Sequence, residues 1–122
     1  MSFADLGVRK VKTATLICLM YIAGPGKPRN VRVEATSSTS INVSWKEPSL
    51  LNGVISEYWI YFGQQKDDLN QITVEGSGRS RELSALRPFT TYYIKVRAKT
   101  TELGNASALL NATTFEDSKF FT

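Results

Sequence analysis

The sequence has 122 residues, 42% of them apolar and 21% charged, with a net charge of +4, which bounds it to one ordinary globular domain. Half of that charge lies before residue 27, where Arg9, Lys10 and Lys12 face only Asp5, and the remainder is too mild for a nucleic-acid footprint. There is no histidine, and the one cysteine, Cys18, lies in an amino-terminal apolar run, which excludes a disulfide, a Cys-based metal site and a histidine base from the domain that follows.

Residues 1–26 read differently from the rest. A basic opening is followed by a mostly apolar run over 13–23, far short of the about 20 residues needed to span a bilayer. Basic, then apolar, then small residues is the layout of a secretory signal peptide. The cleavage site is poor: a cut after Ala23 puts Tyr21 where a small residue is wanted, and a cut after Gly26 fits size but places Pro25 between Gly24 and Gly26. The competing reading is a tail with no role. Either way residues 1–26 are set outside the fold, and Gly24-Pro25-Gly26-Lys27-Pro28 marks a linker-like boundary.

From Pro28 onward every segment reads as strand or turn. Residues 29–36 alternate with Val31 and Val33 inward, and Ser37-Ser38-Thr39 turns. Residues 40–45 place Ile41, Val43 and Trp45 on one face. Residues 46–54 form a loop with Pro48 and the turn pair Asn52-Gly53. Residues 55–63 put Tyr58, Ile60 and Phe62 on one face, Trp59 and Tyr61 on the other. A polar loop is predicted over 64–70, then short strands at 71–75 (Ile72, Val74) and 80–83 (Leu83). Residues 91–99 alternate strictly, with Tyr92, Ile94, Val96 and Ala98 against Tyr93, Lys95, Arg97 and Lys99. A loop over 100–105 and a last strand over 107–115 close the set. Seven short strands with turn chemistry between them and no helical period predict an all-β, antiparallel Greek-key sandwich without a disulfide. The domain is predicted to occupy residues 27–116, with 117–122 a tail. A domain of that size buries roughly 60–70% of its unfolded surface, enough for one core.

Leu86-x-Pro88-x-Thr90-x-Tyr92-x-Ile94-x-Val96-x-Ala98 resembles the signature of fibronectin type III domains. So do Pro28 with Val31 and Val33, Trp45 followed by Pro48, Gly53-x-Ile55-x-x-Tyr58-x-Ile60, and Gly104-x-x-Ser107. The resemblance covers about residues 27–116. It implies a seven-stranded sandwich, strands A, B and E against C, C′, F and G. Trp45, Tyr58, Leu86, Pro88, Tyr92, Ile94 and Val96 are then its structural core, with Tyr92 the tyrosine corner. No Arg-Gly-Asp tripeptide and no Trp-Ser-x-Trp-Ser motif occur, so neither integrin binding nor the cytokine-receptor subclass is implied.

Three groups of residues are functional candidates. Trp59, Tyr61, Tyr93, Lys95 and Arg97 share one outward face, and Trp, Tyr and Arg are common interface anchors. The competing reading is cross-strand sheet chemistry with long cations covering rings. Leu50, Leu51, Glu102 and Leu103 lie in the two loops at one end, where immunoglobulin-type sandwiches bind ligands. Asn42-Val43-Ser44, Asn105-Ala106-Ser107 and Asn111-Ala112-Thr113 are N-glycosylation acceptor triplets, with Asn105 expected on a loop tip. Asp67-Asp68 and Glu116-Asp117 are adjacent carboxylates, which point apart on extended chain rather than converging across a cleft. Gly76-Ser77-Gly78 lacks the lysine and helix of a phosphate loop. The expectation is a non-catalytic interaction or spacer module of a larger extracellular adhesion protein or receptor. It would be monomeric in isolation and take a protein partner. It would use no cofactor, nucleic acid or small-molecule substrate, and would meet a membrane only through a flanking segment. The alternatives are an intracellular spacer or an accessory module of a secreted enzyme.

Overall fold

Period-two alternation folds this chain into strands. The computed structural model describes residues 24–117, and the signal-peptide expectation for the amino-terminal run lies outside the described residues, as does nearly all of the predicted tail. The strands are β1 (Arg29–Ala35), β2 (Ile41–Lys46), β3 (Glu57–Gln65), β4 (Asp68–Glu75), β5 (Ser80–Leu83), β6 (Thr91–Lys99), β7 (Leu103–Ala106) and β8 (Leu110–Thr113). One sheet has the order β1-β2-β5. The other has the order β4-β3-β6-β7, with β8 also paired to β6. Every pairing is antiparallel.

The inward faces meet in a core of Ile41, Val43 and Trp45 from β2, Tyr58 and Ile60 from β3, and Tyr92, Ile94, Val96 and Ala98 from β6, closed by Leu83 and Leu86. Each large aliphatic side chain buried here contributes about 1.5–3 kcal/mol. Val31, Val33, Phe62, Ile72 and Val74 point the same way but stay half-buried, mostly because β1 and β4 are edge strands with core on one flank only. The Trp45 and Tyr58 rings lie 5.3 Å apart, tilted by 53°. The Tyr92 hydroxyl accepts a hydrogen bond from the Arg87 N–H (2.9 Å), which closes the tyrosine corner across the turn before β6. Pro88 is exposed and shapes that turn without filling the core. The next residue, Phe89, has φ of 48° and donates its N–H to the Phe115 carbonyl.

The described residues form eight strands where seven are expected, for a local reason. β8 covers only part of the segment read as a last strand over 107–115, and the added strand, β7, ends just before that segment's first residue, Ser107. Its Oγ accepts the Val96 N–H (2.9 Å) while its own N–H donates to the Val96 carbonyl (2.9 Å). A side chain thus takes a place in the ladder that a backbone carbonyl would hold, and β7 and β8 pair separately with β6 on either side of it. β7 also absorbs half of the predicted 100–105 loop, so Leu103 and Asn105 sit on a strand. The predicted polar loop over 64–70 is likewise mostly strand: β3 and β4 run on to Gln65 and Asp68 and leave Lys66-Asp67 between them. Polar residues on both sides of a hairpin that projects beyond the core satisfy the ladder without needing burial.

Candidate protein-interaction face

Trp59, Tyr61, Tyr93, Lys95 and Arg97 come together on the outer face of the larger sheet, because directly opposed residues of an antiparallel pair share a face. The β3–β6 register sets Trp59 opposite Arg97, Tyr61 opposite Lys95, Gly63 opposite Tyr93 and Glu57 opposite Lys99. All five candidates are half-buried. The Trp59 and Tyr61 rings are 6.4 Å apart. Each ring carries a cation: Lys99 Nζ lies 5.5 Å from the Trp59 ring, Lys95 Nζ 5.3 Å from Tyr61, and Lys66 Nζ 5.4 Å from Tyr93. Contacts of this kind contribute about 0.5–1 kcal/mol at exposed sites. The Trp59 indole N–H donates to Glu57 Oε2 (2.6 Å), and Arg97 Nε donates to the Gly104 carbonyl (2.8 Å). The guanidinium is therefore drawn toward β7 instead of stacking on Trp59. The result is a row of aromatic rings roofed by ammonium groups, apolar beneath and cationic above.

The loops at one end are arranged otherwise. Leu50 is exposed (56%), Leu51 is half-buried, Glu102 is exposed, and Leu103 is half-buried on β7. This end is held by the chain that enters the domain. Gly26 N–H donates to the Leu50 carbonyl (2.8 Å), Asn105 N–H to the Pro25 carbonyl (3.2 Å), and Asn52 Nδ2 to the Gly24 carbonyl (3.0 Å). Pro25 is fully buried. Gly104 permits the crossing, since a Cβ there would run into the Pro25 carbonyl.

Of the glycosylation candidates, Asn42 is half-buried on β2 between Glu34 and Glu82, Asn105 is exposed on β7, and Asn111 is exposed on β8 opposite Tyr93. Sequence reasoning missed four residues, Arg79, Thr114, Phe89 and Phe115. Arg79 donates to the carbonyls of Gly76 and Gly78 (2.7 Å each), pairs with Glu47 (3.4 Å) and lies 5.5 Å from the Tyr58 ring. Thr114, almost fully buried, donates its hydroxyl to the Arg87 carbonyl (2.6 Å) and accepts the Thr90 N–H (3.0 Å). Phe89 and Phe115 are both exposed at the opposite end of the sandwich. Only the Gly-Ser-Gly-Arg spacing hinted at the first. The others depend on contacts between distant segments. A groove of about 390 Å³ between the start of β1 and the β7–β8 break is lined by Lys27, Pro28, Arg29, Asn30, Val31, Ser107, Ala108 and Leu110. No group of three or more His, Cys, Asp or Glu side chains converges among the described residues, and no helix among them is long and apolar enough to cross a membrane.

The family model for the fibronectin type III domain matches residues 26–113. This chain belongs to the fibronectin type III family. The chain is 38% identical over 73 residues to usherin of Rattus norvegicus, covering 54% of the chain and 1% of usherin. It is 34% identical over 97 residues to ephrin type-A receptor 7 of Gallus gallus, covering 78% of the chain and 10% of that receptor. Among solved structures, the FN5 domain of Drosophila Lar superposes with a TM-score of 0.63 at 33% identity, covering 76% of this chain and 99% of that one. The chain thus spans a small fraction of the curated relatives it matches. This fibronectin type III domain is homologous to single modules within much larger proteins, receptors among them.

Proposed function

We propose that this domain is a non-catalytic interaction and spacing module of a larger cell-surface receptor or adhesion protein, and that it docks a protein partner through the outer face of β3 and β6. The observation that carries the reading is the assembly of Trp59, Tyr61, Lys95, Arg97 and Lys99 on one sheet face. Its cationic roof over apolar rings fits a partner surface bearing carboxylates around an apolar centre, since complementary charge sets encounter and register while buried aromatics hold the complex. The receptor relatives support an extracellular setting.

The test is binding of the multivalent, tagged domain to cell-surface preparations. Trp59→Ala and Arg97→Ala are each expected to weaken binding at least about tenfold, while Glu82→Ala on the opposite sheet leaves it unchanged. Unchanged binding by both face variants sinks the docking assignment. A second reading, the passive spacer, is favoured by the lysine over each ring, because a face that covers its own aromatics is also a stable free surface. Under that reading none of the three variants alters cell-surface binding.

A further inference from the structure

We infer that Asn111 is an N-glycosylation site, and that its glycan covers the Tyr93 end of the interaction face while leaving the Trp59–Lys99 end open. This rests on the extracellular reading above. The three acceptor triplets meet unequal surroundings in the fold. Asn42 is half-buried on the middle strand of its sheet, with Glu34 on one side and Glu82 on the other. Asn105 is exposed, but the hydroxyl of its triplet, on Ser107, is buried and accepts the Val96 N–H. Asn111 has neither obstacle. It is exposed and lies directly opposite Tyr93, while Leu110 and Ala112 on either side are half-buried. Thr113 shares its face, and the Thr113 and Thr91 hydroxyls are hydrogen-bonded (2.7 Å). The acceptor amide and the hydroxyl of its triplet therefore emerge together from a solvated face.

The modification is a group transfer from an oligosaccharide carried on a lipid diphosphate. Asn111 Nδ2 bonds to the anomeric carbon, the bond from that carbon to the diphosphate oxygen breaks, the diphosphate departs with the electron pair, and the amide proton passes to a base of the transferring enzyme. Transfer precedes folding, since the folded strand engages Thr113, and the exposed setting of Asn111 then lets the fold accommodate the attached glycan. The folded edge strand then presents a bulky, soluble group where an open sheet edge otherwise invites pairing with another chain. Along β6, Tyr93 and Arg97 are about 13 Å apart. The glycan thus roofs the Lys66–Tyr93 end and confines docking to the other half.

The experiment is expression of the full chain behind a heterologous secretory leader in mammalian cells, with cell and medium fractions pooled. Peptide mapping follows after a peptide-N-glycosidase, which converts a glycosylated asparagine to aspartate. The expected result is conversion of Asn111 in most of the protein, loss of one glycan in Asn111→Gln and Thr113→Ala, and its retention in Thr113→Ser. An unconverted Asn111, with or without sugar at Asn42 or Asn105, overturns the inference. The chain with only its own residues 1–26 is expressed in parallel. If it is retained unglycosylated while the leader-directed chain is modified at Asn111, the reading of residues 1–26 as a working signal fails and the site assignment holds.

Discussion

Tyr58 and Trp45 illustrate how much a single buried side chain controls. The Tyr58 hydroxyl and the Trp45 indole N–H are buried without a hydrogen-bond partner among the described residues, so their rings must repay the desolvation of those atoms through packing. Burial raises the Tyr58 pKa from its ordinary 10.0; the Arg79 cation opposes the shift and Glu47 adds to it. A phenol whose folded pKa lies above its unfolded one stabilises the fold fully below pH 10.0. That contribution is lost as pH rises through and beyond this value, because the unfolded chain ionises first. Phenolate absorbance should show Tyr58 titrating late, and denaturant melts should show stability declining over the same alkaline range. Tyr58→Phe should remove the late titration and flatten the decline.

At the scale of the element, the β7–β8 break turns on one hydroxyl. Ser107 stands in for a backbone acceptor opposite Val96, so Ser107→Ala leaves a buried N–H unpaired and is expected to cost about 1–3 kcal/mol. Amide exchange of Val96 should accelerate more than that of Ile94 or Ala98. Equal protection in the variant would mean that another acceptor closes the gap. The same residue explains why the sequence pattern misled. Ser107 reads as a turn or strand-edge residue, and nothing in its neighbours announces that its side chain is turned inward. The extension of β3 and β4 into the predicted 64–70 loop escaped notice for a different reason. Gln64, Gln65, Asp68 and Asn70 have loop composition, yet pairing with an adjacent strand needs only their backbone. In β6 the period was unambiguous, because this central strand has one face fully buried and the other only half-buried.

At the scale of the whole molecule, the domain extends past its expected beginning. Pro25 is buried beneath the β7 end and residues 24–26 are tied to Leu50, Asn52 and Asn105. The entering chain therefore occupies part of the end at which Leu50, Leu51, Glu102 and Leu103 were expected to be free for contacts. Gly104→Val should displace this segment, since its side chain meets the Pro25 carbonyl. The expected signature is faster exchange of the Gly26 and Asn105 amides with the Tyr92–Ala98 core protection retained. Loss of core protection as well would mean that the segment is integral to folding.

The sequence by itself determined the sandwich, its inward residues and the face shared by Trp59, Tyr61, Tyr93, Lys95 and Arg97. These follow from side-chain period and turn chemistry, which act over a few residues. Only the tertiary structure decided which lysine covers which ring, that Arg97 turns to Gly104, that Arg79 and Thr114 tie distant segments together, and that Asn111 stands beside Tyr93. Those facts depend on strand register and on contacts between residues far apart in the chain, which a local pattern does not encode.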